Sequence, residues 1–389
     1  MNHRIEKLNR STSSRLILSK VEGLKNKLKE LNLDAFLVSN FYNIYYLSGF
    51  KTLTSNEREA WLLITKKNNY LFTDARYYEN IKYQILNIKN SSQKSNILIA
   101  KLITPQKNLL QHLQEIIQQE QITKLGFEAD DLKFNEHQKL TNTIKLIPTE
   151  KLIIKLREIK DDNEIEKIKK ACRITDHCLS EIIKTIKVDQ TEKEIAFKIE
   201  FWLKNNGYDL AFYPIVAIDE NSALPHYDTK TNGYQKVKQS SVILIDFGAK
   251  YKDYLSDITR MIFVGKPTTE QLNIYNILLN AQQKTIKGLR KTNDPKKIDA
   301  FCRKLIADNR LLIYPHSTGH GLGLEIHEYP KISEKSTDAI QKNQVFTIEP
   351  GVYLPRKFGI RIEDTVWMKE DNKPEVLTHC LKNPIVIEF

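Results

Sequence analysis

A segment in the second half of the chain, residues 242–264 (VILIDFGAKYKDYLSDITRMIFV), predicts a β-hairpin that carries two carboxylates inside apolar strands. Two strand-like runs flank a polar turn near Tyr251–Lys252. A turn centred there places Asp246 directly opposite Asp257, on one face of the hairpin. Their Cβ atoms would then be about 5 Å apart, which is unfavourable for two like charges. The pattern therefore predicts a positive partner between them.

The same arrangement recurs in residues 345–368, VFTIEPGVYLPRKFGIRIEDTVWM. A turn centred near Arg356 places Glu349 opposite Glu363, and the Pro-Gly that follows Glu349 predicts a distorted strand. One such pair is explained by two surface acids on solvated strand edges. Two pairs of matching geometry, each within apolar sequence, instead predict a metal site. Their four negative charges would be neutralised by two divalent cations such as Mn, Mg, Fe(II) or Co.

Three of the nine histidines and three of the thirteen glycines fall between the two hairpins, in YPHSTGHGLGLEIHEYP (314–330). These histidines are His316, His320 and His327. Imidazole is a natural ligand for borderline metals, and the glycines allow a close backbone approach. A phosphate-binding loop is disfavoured because no Lys-Ser/Thr pair follows; ordinary core or surface histidines are the other alternative. His226 stands alone in NSALPHYD and by itself indicates a loop histidine.

Strands and helices alternate over the first half of the chain, which predicts a compact α/β domain ending near residue 150. The predicted strands are 35–38, 60–65, 70–73 and 124–128, and the predicted helices are 16–31, 74–86 and 106–120. A long charged helix over about 158–187 follows, with Asp161 or Asp162 as its N-cap. A second helix over 191–206 begins at Thr191, with Glu194 completing a capping box.

Composition excludes several classes of protein. A chain of 389 residues with 41% hydrophobic and 28% charged residues predicts two or three globular domains rather than a disordered protein. The net charge is +12, and its clearest cluster is the first thirty residues, which hold eight Lys or Arg against three Glu. Elsewhere the charges are mixed in sign, so we expect no nucleic-acid and no membrane partner. The four cysteines lack zinc-knuckle spacing, and no signal peptide or spanning apolar run is present. These features predict a cytoplasmic protein.

The second half of the chain resembles the pita-bread metallopeptidases, in particular Xaa-Pro aminopeptidase (aminopeptidase P) and prolidase. The matching stretches are ENSALPH (220–226), LIDFGAKY…SDITR (244–260), HSTGHGLGLEIHE (316–328), TIEPGVY (347–353) and GIRIEDTV (359–366). In the first half, NIYYLSGF (43–50) and TDARYYE (73–79) resemble the creatinase-like amino-terminal domain of that family. The resemblance implies an α/β creatinase-like domain over 1–155, followed by an α+β pita-bread catalytic domain over 156–389.

Carried over position by position, the resemblance implies a two-metal site. Its five ligands would be Asp246, Asp257, His320, Glu349 and Glu363, with Asp257 and Glu363 bridging both metals. The catalytic candidates are His226, His316, His327, Glu349 as a proton shuttle, and Arg361, which would orient Asp246. The substrate-binding candidates are His226, His316 and Tyr353. The two divalent ions would be manganese first, with cobalt, iron or zinc as alternatives.

The resemblance implies hydrolysis of the bond between an amino-terminal residue and a following proline, as in a Xaa-Pro aminopeptidase. The substrates would be peptides with proline at the second position, and the enzyme would form a homodimer or tetramer. Xaa-Pro dipeptidase (prolidase) is the alternative, because it uses the same ligands. A metal-free pita-bread binding module is a second alternative, although such relatives generally lose ligands. Creatinase-like hydrolases lack the full metal set, and methionine aminopeptidases generally lack the first domain.

Overall fold

The computed structural model describes residues 2–89, 98–141, 144–370 and 373–388. The chain divides into two compact units, Met1–Arg157 and Glu158–Phe389. Each unit has its own sheets and its own buried apolar core. Among the described residues, no helix is long and apolar enough to cross a membrane.

The first unit is built on a six-stranded sheet with the strand order β4-β3-β2-β1-β5-β6. Its elements are α1 (Asn2–Glu30), β1 (Ala35–Val38), α2 (Phe41–Ser48), β2 (Ala60–Thr65), β3 (Asn69–Thr73), α3 (Ala75–Lys89), β4 (Leu98–Leu102), α4 (Leu109–Glu120), β5 (Leu125–Glu128), α5 (Phe134–Thr141), β6 (Leu146–Thr149) and α6 (Leu152–Glu158). The predicted strands 35–38 and 60–65 are confirmed, and every residue in both is buried. Strands β4 and β6 escaped prediction because they are only partly buried edge strands without a continuous apolar run.

The second unit combines helices with several sheets. Its elements are α7 (Asp162–Ile183), α8 (Glu192–Asn205), β7 (Asp209–Leu210), β8 (Ile215–Ile218), a 3₁₀ helix (Asp219–Ala223), α9 (Thr229–Asn232), β9 (Val242–Phe247), β10 (Ala249–Tyr251), β11 (Tyr254–Leu255), β12 (Ile258–Val264), α10 (Thr269–Gly288), α11 (Pro295–Ala307), β13 (Gly319–Gly321), β14 (Glu328–Ile332), β15 (Val345–Ile348), β16 (Gly351–Leu354), β17 (Phe358–Arg361), β18 (Asp364–Met368), β19 (Pro374–Val376) and β20 (Ile385–Ile387). The sheets have the orders β11-β10-β7, β20-β12-β9-β8, β14-β13-β15-β18-β19 and β16-β17.

The predicted starts of the two long helices are confirmed. The Asp161 side chain caps α7 and forms a capping box with Glu164, and Thr191 and Glu194 do the same for α8. Helix α7 ends at Ile183, a few residues earlier than predicted. Its apolar face is buried, as the spacing predicted.

Helices cover both faces of the sheet that contains β9. Ile243, Ile245 and Phe247 pack in one core with residues of α7 and α8, whereas Val242 and Leu244 pack in a second core with residues of α10. Because side chains alternate between the faces of a strand, Asp246 shares a face with Val242 and Leu244. The strand is apolar on both faces because both are covered, and Asp246 is the exception near its end.

The first predicted hairpin forms, but its predicted register is wrong. Asp246 pairs with Thr259, not with Asp257, because the tight turn is centred on Lys252–Asp253. Both turn residues have positive φ, 48° and 68°, as a two-residue type I′ turn requires. Asp257 therefore lies two residues from the position opposite Asp246. A shift of two residues leaves both carboxylates on the same face.

The register of the second hairpin is confirmed. Ile348 pairs with Asp364 and Gly351 with Arg361, so Glu349 falls opposite Glu363. The ribbon is interrupted between these pairs, as the Pro-Gly sequence predicted. There the Glu349 N–H donates to the carbonyl of Thr318 (2.9 Å), and the Glu363 N–H donates to the carbonyl of Thr259 (3.3 Å). Each glutamate therefore lies where its strand changes backbone partner.

Candidate metal centre

Four carboxylates and one imidazole converge where these strands end or break. The Nε2 atom of His320 lies 3.6 Å from Oδ2 of Asp257 and 3.4 Å from Oε1 of Glu349. Candidate ligand atoms of Asp257, His320 and Glu363 all lie within 4.8 Å of one another. Asp246 interacts electrostatically with Asp257, Glu349 and Glu363. Segments distant in sequence thus place these five side chains around one point.

Close strand packing at two glycines brings His320 to this point. A Cβ atom at Gly319 would lie 1.8 Å from the carbonyl oxygen of Thr347, and one at Gly321 would lie 2.1 Å from that of Tyr329. Real Cβ atoms do not approach this closely, so neither position accepts a side chain. The glycines therefore serve the close backbone approach that the sequence suggested.

Three oxygen atoms of the cluster are buried without a hydrogen-bond partner: Asp246 Oδ1, Asp257 Oδ1 and Glu363 Oε1. The three residues are 8%, 4% and 1% exposed. A buried polar atom left unsatisfied costs about 1–3 kcal/mol, and more when it carries charge. Three such oxygens beside an imidazole nitrogen form a donor set suited to divalent cations. The residues present therefore fit a metal centre.

A fixed donor holds one oxygen of each of three carboxylates. Arg361 Nη2 donates to Asp246 Oδ2 (2.5 Å), and Thr259 Oγ1 donates to Glu363 Oε2 (2.6 Å). Thr347 Oγ1 donates to Glu349 Oε1 (3.0 Å). Such outer contacts orient a ligand and leave its other oxygen available. Neither threonine was predicted, because in the sequence each reads as an ordinary β-branched strand residue.

Burial and like-charge crowding shift the titration of the cluster. Burial, followed by neighbouring carboxylates, raises the pKa of Asp257 and Glu363 well above their usual range. Burial also raises the pKa of Glu349 and lowers that of His320. The imidazole is therefore held neutral, the form that binds metals. Cation binding would favour the charged carboxylates and release their protons.

The remaining candidate residues surround the cluster. His316 Nε2 lies 2.9 Å from the hydroxyl of Tyr353, which accepts a hydrogen bond from Arg361 Nη1 (2.9 Å). The rings of His320 and His327 are 4.5 Å apart between centroids. His226 is exposed and interacts electrostatically with His316 and His327. The structure thus brings all three non-ligand histidine candidates close to the cluster.

His226 reaches this position through a tertiary contact. Ser222 Oγ accepts a hydrogen bond from the Gly359 N–H (2.8 Å), and Arg361 Nη1 donates to the carbonyl of Pro225 (3.1 Å). These contacts tie the ENSALPH segment to the strand that carries Arg361. Local sequence around His226 held no signal of this contact, so the residue taken alone indicated only a loop.

A buried cluster of carboxylates and one histidine in a two-unit chain is typical of a metal-dependent hydrolase. The model of the metallopeptidase family M24 matches residues 166–370, and the model of the creatinase/prolidase N-terminal domain matches residues 20–159. The chain belongs to the M24 metallopeptidase family. The expected architecture is confirmed, with a creatinase-like first domain followed by a pita-bread catalytic domain.

Relatives named as Xaa-Pro peptidases cover nearly the whole chain. A Xaa-Pro dipeptidase from Pyrococcus horikoshii is 34% identical over 89% of this chain and 93% of its own length. The solved structure of a Xaa-Pro dipeptidase from Bacillus anthracis is 31% identical, with a TM-score of 0.84 over 95% of this chain and 100% of that one. An X-Pro aminopeptidase from Thermotoga maritima is also 31% identical, with a TM-score of 0.80 over 93% of this chain and 100% of that one.

Proposed function

We propose that this protein is a Xaa-Pro dipeptidase, a prolidase. The observation that carries the hydrolase part of the proposal is the set of buried, partnerless carboxylate oxygens beside His320. Two relatives named as Xaa-Pro dipeptidases support the dipeptidase part. The sequence favoured Xaa-Pro aminopeptidase, and the comparisons support its alternative more strongly.

Two divalent ions would be held by the five converging side chains. Their ligands would be Asp246, Asp257, His320, Glu349 and Glu363. Divalent ions at such a site polarise a carbonyl oxygen and lower the pKa of a bound water toward neutrality. The oxygen-rich ligand set favours a hard or borderline ion, and manganese is the ion we propose.

The surrounding residues would bind and orient the scissile amide. Burial lowers the pKa of His316 and His327, so both are neutral near pH 7. His327 can then donate its one N–H to a carbonyl oxygen as it becomes negative, whereas the one N–H of His316 is held on Nδ1 by the Ser317 carbonyl (2.8 Å) and His316 would instead line the proline pocket. His226 would contribute on the same side. Glu349 would carry a proton to the leaving imino nitrogen. The Tyr353 hydroxyl, held by Arg361, would bond Nε2 of His316 and so fix the orientation of its ring.

Substrate length separates the two Xaa-Pro activities. The purified protein is stripped with a chelator, reloaded with Mn²⁺ and assayed on a Xaa-Pro dipeptide and on the same sequence extended by one residue. The proposal expects a kcat/KM for the dipeptide that is at least tenfold higher, a difference of about 1.4 kcal/mol in transition-state binding. Equal or faster cleavage of the longer peptide would instead support the aminopeptidase, the activity named for the Thermotoga maritima relative.

Metal content tests the hydrolase itself. Two ions per chain, with activity lost on chelation and restored by Mn²⁺, are expected. Asp257→Asn should fold but be nearly inactive, whereas the exposed control Glu334→Gln should keep full activity. A wild-type protein that binds no ion would support the metal-free binding module instead. We also propose a homodimer or tetramer, which sedimentation of the loaded protein tests.

A further inference from the structure

Arg260 is a fully buried arginine that uses every donor of its guanidinium group. Nε donates to the carbonyl of Leu381 (3.1 Å), and Nη1 donates to the carbonyls of Thr259 (3.0 Å) and Glu363 (2.6 Å). Nη2 donates to Asp364 Oδ1 (2.8 Å) and to the carbonyl of Cys380 (3.2 Å). A guanidinium has five N–H donors in a fixed plane, and here all five are satisfied.

These contacts lie directly behind the candidate metal ligands. Thr259 lies in β12, and Glu363 lies in the break between β17 and β18. The Glu363 N–H joins the two segments through a long hydrogen bond of 3.3 Å to the carbonyl of Thr259. One Nη1 atom of Arg260 donates to the carbonyls of both residues. The guanidinium therefore clamps together the two strands that present Asp257 and Glu363 to the cluster.

A second contact links the same two strands. Thr365 Oγ1 donates to the carbonyl of Asp257 (2.9 Å). It reinforces the Arg260 clamp at the other candidate bridging ligand. In the described part of the chain, Arg260 and Thr365 are the residues whose side chains bond backbone carbonyls across this junction.

We propose that Arg260 is a positioning residue that sets the separation between Asp257 and Glu363, and that the chain holds its second metal ion at full affinity only when this clamp is intact. The inference rests on the proposed two-metal function. The carboxyl-terminal segment around Cys380 and Leu381 takes part, because its carbonyls complete the guanidinium shell.

The proposed role of Arg260 depends on the geometry of its guanidinium group and not only on its positive charge. Asp364 is bound by a second cation, because Lys382 Nζ lies 2.5 Å from its Oδ2. Gln282 also donates to that oxygen (2.8 Å). Lysine has three donors on a tetrahedral ammonium and cannot reproduce a planar set of five. Arg260→Lys therefore keeps the charge but loses the clamp, whereas Lys382→Met removes a charge from Asp364 and keeps the clamp.

The test measures metal binding rather than activity. Wild type, Arg260→Lys and the matched control Lys382→Met are stripped with a chelator and titrated with Mn²⁺ by calorimetry. The wild type is expected to bind two ions. In Arg260→Lys we expect the first ion to bind as in wild type and the second about 10–100-fold more weakly, the usual cost of losing an outer partner of a ligand. Lys382→Met should bind both ions as wild type does.

Equal affinities for both ions in Arg260→Lys and wild type would overturn the inference, as would an equal loss of the second ion in Lys382→Met. If Arg260→Lys does not fold, Thr365→Val replaces it as an isosteric variant that removes one bond of the junction. It should weaken the second ion about two- to tenfold, and an unchanged affinity would overturn the inference. A wild-type protein that binds no ion overturns the proposed function as well, which distinguishes the two failures.

Discussion

Replacing Glu363 by glutamine should stabilise the metal-free protein and destabilise the metal-loaded one. Glu363 is 1% exposed, and its Oε1 has no hydrogen-bond partner. Burial first, and nearby carboxylates second, raise its pKa well above the usual range. The amide is neutral without taking up a proton, and it supplies two donors to this crowded cluster. Its oxygen can still accept the hydrogen bond from Thr259. Without metal, the change therefore relieves a local penalty.

The size of the effect follows from the burial. An unsatisfied buried polar atom costs about 1–3 kcal/mol, so the metal-free variant should gain about that much stability. For a unit of this length, Glu158–Phe389, this corresponds to a rise in melting temperature of roughly 2–12 °C. With metal the sign reverses, because each of the two ions, at one hundred times its Kd, contributes about 2.7 kcal/mol to the wild type. The variant loses most of that gain with its ligand.

Thermal melts followed by circular dichroism, in chelator and in excess Mn²⁺, provide the assay. Glu334→Gln is the matched control, since it makes the same chemical change at an exposed carboxylate. A metal-free Glu363→Gln protein that melts below wild type, or one that gains as much as wild type from Mn²⁺, would refute the electrostatic reasoning.

Three further outcomes are expected. Without metal, stability should increase as the pH falls from 8 toward the ordinary carboxyl value of about 4, because the folded protein, with its raised pKa at Asp257 and Glu363, holds protons that the unfolded chain has released; flat melting temperatures in chelator would contradict this. Arg361→Lys should lower kcat about 10–100-fold in the loaded enzyme, because one ammonium cannot hold Asp246, Thr259 and the Tyr353 hydroxyl together; an unchanged kcat would argue against that role. Tyr353→Phe should leave the metal content intact and reduce kcat/KM about tenfold through the lost bond to Arg361, and loss of metal would place Tyr353 in the metal shell instead.

The second hairpin shows how much local sequence can specify. Its register follows from one turn near Arg356, where φ is 62°, and the same register holds on both sides of the break at Glu349. The first hairpin shows the limit. Tyr251–Lys252 and Lys252–Asp253 are both polar enough to turn, and only the backbone conformation, with Asp253 at positive φ, decides between them.

The register error did not misplace the carboxylate pair because strand side chains repeat every two residues. A slip of one residue would have turned Asp257 away from Asp246, whereas the observed slip of two keeps both on one face. A strand pattern therefore predicts which residues share a face more reliably than it predicts which residues are directly opposite. The prediction of the two carboxylate pairs depended on the first property alone, whereas the five-ligand set came from the family resemblance.

The functional residues that the sequence did not predict depend on tertiary contacts. Thr259 and Arg260 act through hydroxyl or guanidinium contacts to Glu363, far along the chain, and Thr347 acts through a hydroxyl contact to Glu349, two residues on. Their local pattern is that of a buried strand, and nothing in a strand pattern distinguishes a packing threonine from one that orients a carboxylate. Such contacts are fixed by how two sheets meet, which periodicity does not specify.

The candidate ligands lie at irregular positions of the strands. His320 lies where the register of β13 and β14 shifts, and Glu349 and Glu363 lie where the ribbon is interrupted. An unbroken ribbon would keep Glu349 and Glu363 paired only with each other. Each break frees one residue to turn toward the centre, and the backbone hydrogen bonds lost there are replaced by bonds to Thr318 and Thr259. The irregular positions are therefore where the fold can bring like charges together, and a bound cation is what makes their convergence favourable.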